Sequence, residues 1–207
     1  MLKLGILVSG GGTNLQSIID KIISGYLKDC EIATVVSSRA GVYALERASK
    51  HGIPSVCISA KDFECVEDYD KALISHFNKY GVELVVLAGF LSMLGEGLVN
   101  AYKDRIINVH PALIPSFCGK GFYGIIPHRK VLEYGVKVTG ATVHFVELEY
   151  DSGPIILQKA VSVFDDDTAE SLQKRVMEEA EWVILPEAIR LFSEGRLVIE
   201  GRKVKII

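Results

Sequence analysis

The chain's 207 residues, 49% hydrophobic and 24% charged, suit one α/β domain, or two lobes that share a core, and exclude a disordered or fibrous protein. A net charge of -3 and a pI near 6.0, with Lys and Arg scattered along the sequence, disfavour a surface that binds nucleic acid. No apolar run approaches the length needed to cross a bilayer, so no membrane partner is expected.

The first half of the sequence alternates short β-branched runs with amphipathic stretches, a pattern typical of parallel strands joined by crossover helices. The predicted strands are residues 3–8, 31–37, 55–59, 83–87 and 106–110. The predicted helices between them are residues 15–23, 44–51, 69–80 and 97–102. We therefore predict a three-layer, Rossmann-like α/β fold with a mostly parallel sheet. The short apolar start runs straight into glycines, which predicts a core strand and not a signal peptide.

The pattern changes after Pro111. The elements predicted beyond it are a Gly-rich aromatic loop at 116–126, a short helix at 129–134, two strands at 136–147 and 154–163, and a hairpin at 197–206. A tight turn joins the two strands, so they are expected to be antiparallel. Asp167, with Glu170 three residues later, predicts a capping box for a helix that runs toward Phe192. No linker divides the chain, so one domain, residues 1–207, is expected.

The cysteines form no Cys-x-x-Cys pair and have no neighbouring ligand at metal spacing. They are Cys30, Cys57, Cys65 and Cys118. Reduced thiols in a cytoplasmic protein without a bound metal fit this pattern.

A glycine loop, Ser9-Gly10-Gly11-Gly12-Thr13-Asn14, follows the first strand and opens a helix. Backbone N–H groups and the helix dipole at such a position favour an anion, and a phosphate monoester is the expected guest. No Gly-Lys-Ser/Thr follows, Leu15 replaces the third glycine of the dinucleotide fingerprint, and no acidic residue ends the second strand, so nicotinamide cofactors are disfavoured. Arg39 keeps a phosphorylated dinucleotide open, and a plain tight turn is the structural alternative.

Asn108 and His110 lie two residues apart on the fifth strand, which predicts that they share one face at its carboxyl end. Ligands of open α/β sheets bind at that edge. An amide that holds an oxyanion and an imidazole that exchanges protons suit acyl transfer. Asp151 lies in a predicted turn, where a turn-forming role is the ordinary explanation; beside His110 it would raise the imidazole pKa. His51, His76 and His144 are expected to be structural.

Four segments carry a family resemblance when taken in this order. They are the Ser-Gly-x-Gly-Thr-Asn-Leu loop, Leu87-Ala88-Gly89-Phe90, Asn108-Val109-His110-Pro111-Ala112-Leu113-Ile114-Pro115, and residues 140–146 continuing through Asp151-Ser152-Gly153-Pro154. The whole chain thereby resembles the phosphoribosylglycinamide formyltransferases, or glycinamide ribonucleotide transformylases. The resemblance implies transfer of formyl from 10-formyltetrahydrofolate to the amine of glycinamide ribonucleotide in purine biosynthesis, through a tetrahedral intermediate and without metal. A cytoplasmic monomer or homodimer is expected.

The resemblance also implies site residues. His110 would be the proton donor, Asp151 the carboxylate that raises its pKa, and Asn108 the oxyanion and formyl contact. The ribonucleotide would contact Gly12, Thr13, Asn14, Glu178 and Glu181. The folate would contact Leu91, Ser92, Met93, Leu94, Asn108, Glu147, Leu148, Glu149, Tyr150 and Asp151, largely through main-chain groups. Residues 1–105 would form the phosphate-binding half and residues 106–207 the catalytic and folate-binding half.

The chain departs from the family pattern in places. Ser92 and Val66 stand where many members carry a basic residue near the folate, and Glu178 would repel a phosphate that it faced. Residues 176–182 contain one residue more than is usual. His128 matches a family histidine that could line the site.

Four alternatives remain open from the sequence. Methionyl-tRNA formyltransferase and formyltetrahydrofolate hydrolase share the Asn, His and Asp arrangement but are longer, through an added domain in each. A thiol enzyme would use Cys118 with His110 or His128 as base. A nucleotide-binding module without activity would need the glycine loop alone.

Overall fold

Two units, residues 1–107 and 108–207, make up the chain in the computed structural model, which describes all 207 residues. This division lies close to the predicted boundary between residues 105 and 106. The strand β5 (Ile106–His110) crosses it.

The first unit is a parallel sheet with crossover helices. Its elements are β1 (Leu2–Val8), α1 (Thr13–Ile23), β2 (Cys30–Ser37), α2 (Tyr43–Lys50), β3 (Ser55–Cys57), a 3₁₀ turn (Ala60–Asp62), α3 (Val66–Tyr80), β4 (Leu84–Leu87) and α4 (Glu96–Ala101). The strand β1 pairs in parallel with β2 and β4, and β2 pairs with β3, giving the order β3-β2-β1-β4. The predicted doubly wound pattern is confirmed here.

Burial on both sides explains why β1 after Lys3, and the whole of β4, are continuous apolar runs instead of alternating ones. The last five residues of β1 and all four of β4 are buried. The helix α3 packs so closely on β1 that a Cβ at Gly5 would lie 2.8 Å from Cγ1 of Val82 and 3.0 Å from the Phe77 ring. Parallel strands covered on both faces require this kind of sequence.

The second unit combines an antiparallel strand pair with helices. Its elements are α5 (Ile126–Tyr134), β6 (Val138–Phe145), β7 (Ile155–Ser162), α6 (Ala169–Val176), a π-helical segment (Met177–Glu181), α7 (Trp182–Ser193), β8 (Leu197–Glu200) and β9 (Lys203–Ile206). Strands β6 and β7 are antiparallel, as are β8 and β9, which confirms the predicted C-terminal pair and hairpin. The strand β9 joins β7 in parallel at Ile155 and Lys203.

The start of α6 differs from the prediction by one residue. Thr168 is the N-cap, and its side chain and that of Ser171 form the reciprocal capping bonds. Asp167 instead accepts two hydrogen bonds of 2.6 Å from the guanidinium of Arg175. The predicted Asp167 and Glu170 box is therefore wrong, because the carboxylate has the stronger, bidentate partner.

The helix predicted to run unbroken toward Phe192 contains the π-helical turn at Met177–Glu181. A π turn accommodates one additional residue without ending a helix. This π turn therefore accommodates the one residue by which segment 176–182 exceeds the family pattern. No helix in the structure has the length and apolar character needed to span a membrane.

Gly140 tests the tight β6–β7 contact. A Cβ at this position would overlap the carbonyl oxygen of Lys159, whereas a Cβ at Gly10 would meet nothing within 4 Å. We expect Gly140→Ala to lower the free energy of unfolding by ~2–3 kcal/mol and Gly10→Ala to change it by less than ~1 kcal/mol. Urea denaturation measures both, and equal effects of the two variants would contradict this packing.

Candidate active site

The strand β5 presents Asn108 and His110 on one face, as the two-residue period predicts. His110 is buried, with 4% of its surface exposed, and Asn108 is half-buried. Both side chains belong to the second unit, together with the groups that contact them.

Asp151 meets His110, a contact that spacing alone left open. Its backbone is left-handed, with φ of 51°, in the turn before β7, so the turn-forming explanation also holds. One carboxylate oxygen, Oδ2, accepts a 2.8 Å hydrogen bond from the N–H of Gly119 and lies 3.6 Å from Nδ1 of His110. The carboxylate therefore lies between the loop after β5 and the imidazole.

The ionised form of Asp151 is favoured. Burial alone would raise the pKa of this carboxyl group, but the contact with His144, the nearby His110 and the N–H of Gly119 outweigh burial. Together they hold the pKa of Asp151 below its ordinary value. A negative charge is thus maintained beside two imidazoles.

At His110, unlike at Asp151, burial is not outweighed by the neighbouring groups. It lowers the pKa of the imidazole below the ordinary 6.5, and Asp151 and the carbonyl of Phe117 offset that effect only in part. Asp151 thus raises the pKa of His110, as predicted, but by less than burial lowers it. Nε2 of the ring lies within hydrogen-bond distance of the Phe117 carbonyl oxygen, at 2.9 Å, and Nδ1 faces the Asp151 carboxylate at the longer distance of 3.6 Å. Only the protonated ring could donate to both.

His144 is a site residue that the sequence prediction missed. It is 2% exposed on β6; its Nδ1–H donates to the carbonyl of Phe145 at 2.7 Å, and its Nε2 lies 3.2 Å from Nδ2 of Asn108. Because a carbonyl can only accept, Nδ1 carries a hydrogen. The same Nε2 lies 3.6 Å from Oδ1 of Asp151. His144 thereby links Asn108 to the carboxylate, contrary to the structural role expected for it.

Thr142 and Gln158 hold the main chain that follows His110. The Thr142 hydroxyl donates to the carbonyl of Ala112 at 2.7 Å and accepts from the N–H of Ile114 at 3.1 Å. The side-chain amide of Gln158 donates to that hydroxyl and to the carbonyl of Ile114. These bonds fix the path of the chain between the imidazole and the loop that contacts it.

Two further groups lie near this cluster. His128 is fully buried, neither ring nitrogen has a hydrogen-bond partner, and burial followed by the charge of His110 lowers its pKa to about 4. It is therefore neutral at pH 7. Burial and Asp151 raise the pKa of the Cys118 thiol, which donates to the carbonyl of Pro115 at 3.3 Å. A protonated thiol is a poor nucleophile, which disfavours the thiol-enzyme alternative.

The glycine loop belongs to the first unit. Gly12 caps α1 with a left-handed φ of 71°, and a Cβ there would lie 2.7 Å from Cβ of Ala44. A residue with a side chain here would have a strained backbone and would also clash with Ala44. Glycine is therefore required by the packing against α2 as well as by the turn. Asn14 is buried and Thr13 half-buried in the first turn of α1.

The segments predicted to contact folate are surface loops, one in each unit. In the first, Leu91 and Met93 are 45% and 55% exposed, and the N–H of Leu91 already donates to Oγ of Ser9. In the second, residues 147–150 are exposed after β6. Ser92 is half-buried, Leu94 is buried, and Val66 is exposed at the start of α3.

Glu178 and Glu181 lie on the π-helical segment. The carboxylate of Glu178 is exposed and 3.8 Å from Nζ of Lys174, whereas Glu181 is 6% exposed. Because this ion pair is exposed and long, it leaves the expected repulsion between Glu178 and a phosphate as a prediction. Their role as ribonucleotide ligands stays a prediction.

Comparisons of the sequence and of the structure with known proteins agree on one family. A model of the formyl transferase family matches residues 2–189. The phosphoribosylglycinamide formyltransferase of Escherichia coli (strain K12) is 38% identical over 196 residues, 95% of this chain and 89% of that protein. The trifunctional purine biosynthetic protein adenosine-3 of Chironomus tentans is 42% identical over 194 residues, 93% of this chain but only 14% of that protein. The crystal structure of glycinamide ribonucleotide transformylase 1 from Symbiobacterium toebii is similar with a TM-score of 0.94 and 45% identity, covering 100% of this chain and 94% of that one.

The opposing effects on His110 give a prediction for its titration. We expect NMR of the imidazole carbons to give a pKa for His110 below 6.5, and Asp151→Asn to lower it further, because the carboxylate raises it. His51, exposed in the first unit, serves as the internal control. A His110 pKa above 6.5, or a rise in the variant, would contradict this account of the site.

Proposed function

The chain belongs to the formyl transferase family, and on that premise we propose that it transfers the formyl group of 10-formyltetrahydrofolate to the amine of glycinamide ribonucleotide. The products are formylglycinamide ribonucleotide and tetrahydrofolate. The observation that carries the proposal is the buried cluster in which Asp151 contacts His110 and His144, and His144 contacts Asn108. An amide, a base and a carboxylate so arranged suit acyl transfer without a covalent enzyme intermediate.

Asn108 stabilises the negative charge that forms on the formyl oxygen when the amine attacks. One N–H of its side-chain amide is directed to Nε2 of His144, which fixes the orientation of the group. The second N–H of the same amide then serves the oxyanion of the tetrahedral intermediate. A donor fixed before the reaction stabilises the transition state without a further cost of reorganisation.

His110 moves the proton. In its neutral form it accepts the proton that the attacking nitrogen releases, and the ionised Asp151 at 3.6 Å stabilises the imidazolium. The imidazolium then gives the proton to the departing folate nitrogen as the carbon–nitrogen bond breaks, so no proton is gained or lost overall. Because the Phe117 carbonyl, 2.9 Å away, can only accept, Nε2 of the neutral ring carries the hydrogen there. Accepting a proton at Nε2 therefore requires that carbonyl to move aside and the ring hydrogen to shift to Nδ1, beside Asp151.

The two substrates are assigned to the segments predicted for them. The glycine loop at Gly12, Thr13 and Asn14 binds the ribonucleotide phosphate, which its glycines and the start of α1 support. Residues 91–94 and 147–151 bind the folate, with exposed apolar side chains for its ring system. Val66 and Ser92 offer no positive charge, so neither binds a folate carboxylate as an ion pair.

Three substitutions test the assignment of chemistry. We expect His110→Ala and Asp151→Asn each to lower kcat by about 10²- to 10⁴-fold, because they remove the proton carrier or the charge that stabilises it. Cys118→Ser serves as the control and should retain nearly full activity, because its thiol is protonated and bound to a carbonyl. Full activity of Asp151→Asn would refute the mechanism, and an inactive Cys118→Ser would favour the thiol-enzyme alternative.

The acceptor is tested with the purified protein and 10-formyltetrahydrofolate. We expect formylated nucleotide to accumulate with glycinamide ribonucleotide present, and little formate to form in its absence. Mass spectrometry of both products distinguishes transfer from hydrolysis. Formate release at the same rate with and without the ribonucleotide would instead indicate a hydrolase.

A further inference from the structure

Each of the three glycine carbonyls in the glycine loop accepts a hydrogen bond. The carbonyl of Gly10 accepts from the N–H of Ala44 at 3.2 Å, and that of Gly12 accepts from the N–H of Gln16 at 2.9 Å. Between them, the carbonyl of Gly11 accepts a 2.9 Å hydrogen bond from Nε of Arg47. Two of these donors are backbone groups, whereas the donor to Gly11 is the side chain of Arg47.

The planarity of the peptide gives these bonds a consequence on the opposite side of the loop. In a trans peptide the N–H points opposite to the carbonyl of the preceding residue. Fixing the carbonyls of Gly10 and Gly11 toward α2 therefore turns the N–H groups of Gly11 and Gly12 away from it. These are directions in which N–H groups can converge on an anion.

Arg47 is itself held in place by two further contacts. Its Nη1 donates to Oε1 of Gln16 at 3.0 Å, and its guanidinium lies over the ring of Tyr43, with Cζ 4.7 Å from the ring centroid. The side chain thus joins the Gly11 carbonyl to the first turn of α1 with a rigid fork. The close approach of Gly12 to Ala44, one helical turn before Arg47, keeps α2 against the loop.

We propose that Arg47 is a positioning residue that sets the affinity of the glycine loop for phosphate. It acts through the orientation of the Gly11 carbonyl and not by contact with the anion. This inference rests on the proposed function, in which the loop binds the phosphate of the ribonucleotide. The residue therefore determines the KM for the ribonucleotide, and neither the KM for the folate nor kcat.

Arg47→Lys tests this proposal because it keeps the positive charge and loses the fixed fork. Arg47→Met keeps the stem beside Tyr43 but has no N–H donor. Lys50→Ala is the matched control: Lys50 lies on the same helix and over the same Tyr43 ring, at 5.1 Å, but its Nζ donates to the Tyr43 hydroxyl and not to the loop. Melting temperatures of all three variants report on folding.

We expect both Arg47 variants to raise the KM for glycinamide ribonucleotide by roughly tenfold, with kcat and the folate KM within about twofold of wild type. Lys50→Ala should match wild type in all three constants. A ribonucleotide KM of Arg47→Lys equal to that of wild type would overturn the proposal, because charge alone would then suffice. Equal changes in the KM values of both substrates would also overturn it.

A titration with inorganic phosphate tests the same point without turnover. We expect phosphate to shift the amide NMR signals of Gly11 and Gly12 in the wild type, and to require roughly tenfold more phosphate in Arg47→Lys. Identical titrations would refute the role of Arg47. A wild-type protein that binds phosphate but forms no product would refute the proposed function and leave the phosphate titration to decide the role of Arg47.

Discussion

A single half-buried carboxylate, that of Asp151, organises the cluster in the second unit. With 12% of its side chain exposed, Asp151 carries a charge that is largely removed from solvent and therefore needs partners. Its partners are the N–H of Gly119 in the loop after β5, the ring of His110 on β5 and the ring of His144 on β6. Since these groups come from three separate parts of the chain, satisfying one charge fixes the position of all three.

Burial acts on the two titratable groups in the same physical sense and yields different protonation states. It disfavours charge on both Asp151 and His110, but three neighbouring groups outweigh it at the carboxylate, whereas Asp151 and one carbonyl fail to outweigh it at the imidazole. An ionised carboxylate thus stands beside a base with a lowered pKa. That division suits a group that must accept a proton and return it within one turnover.

The sequence was sufficient for the parallel sheet and for the pairing of Asn108 with His110, because both follow from the strand period. It was insufficient for His144: seven of the eight residues of β6 are buried, so no alternation of polarity distinguishes its site-facing side. The contact of Asp151 with His110 was predicted from the family resemblance and not from the strand period, because a turn and a strand about 40 residues apart carry no local signal of contact. The π turn at 177–181 and the capping pair Thr168 and Ser171 depend on packing and side-chain competition, which spacing does not reveal.

A double-mutant cycle tests most directly whether Asp151 acts through His110. It compares kcat/KM for the wild type, Asp151→Asn, His110→Asn and the double variant in the formyl transfer assay. Because the carboxylate only stabilises the proton carried by the imidazole, we expect the double variant to be hardly slower than His110→Asn alone. Losses that multiply, so that each substitution has its full effect in the presence of the other, would contradict the account.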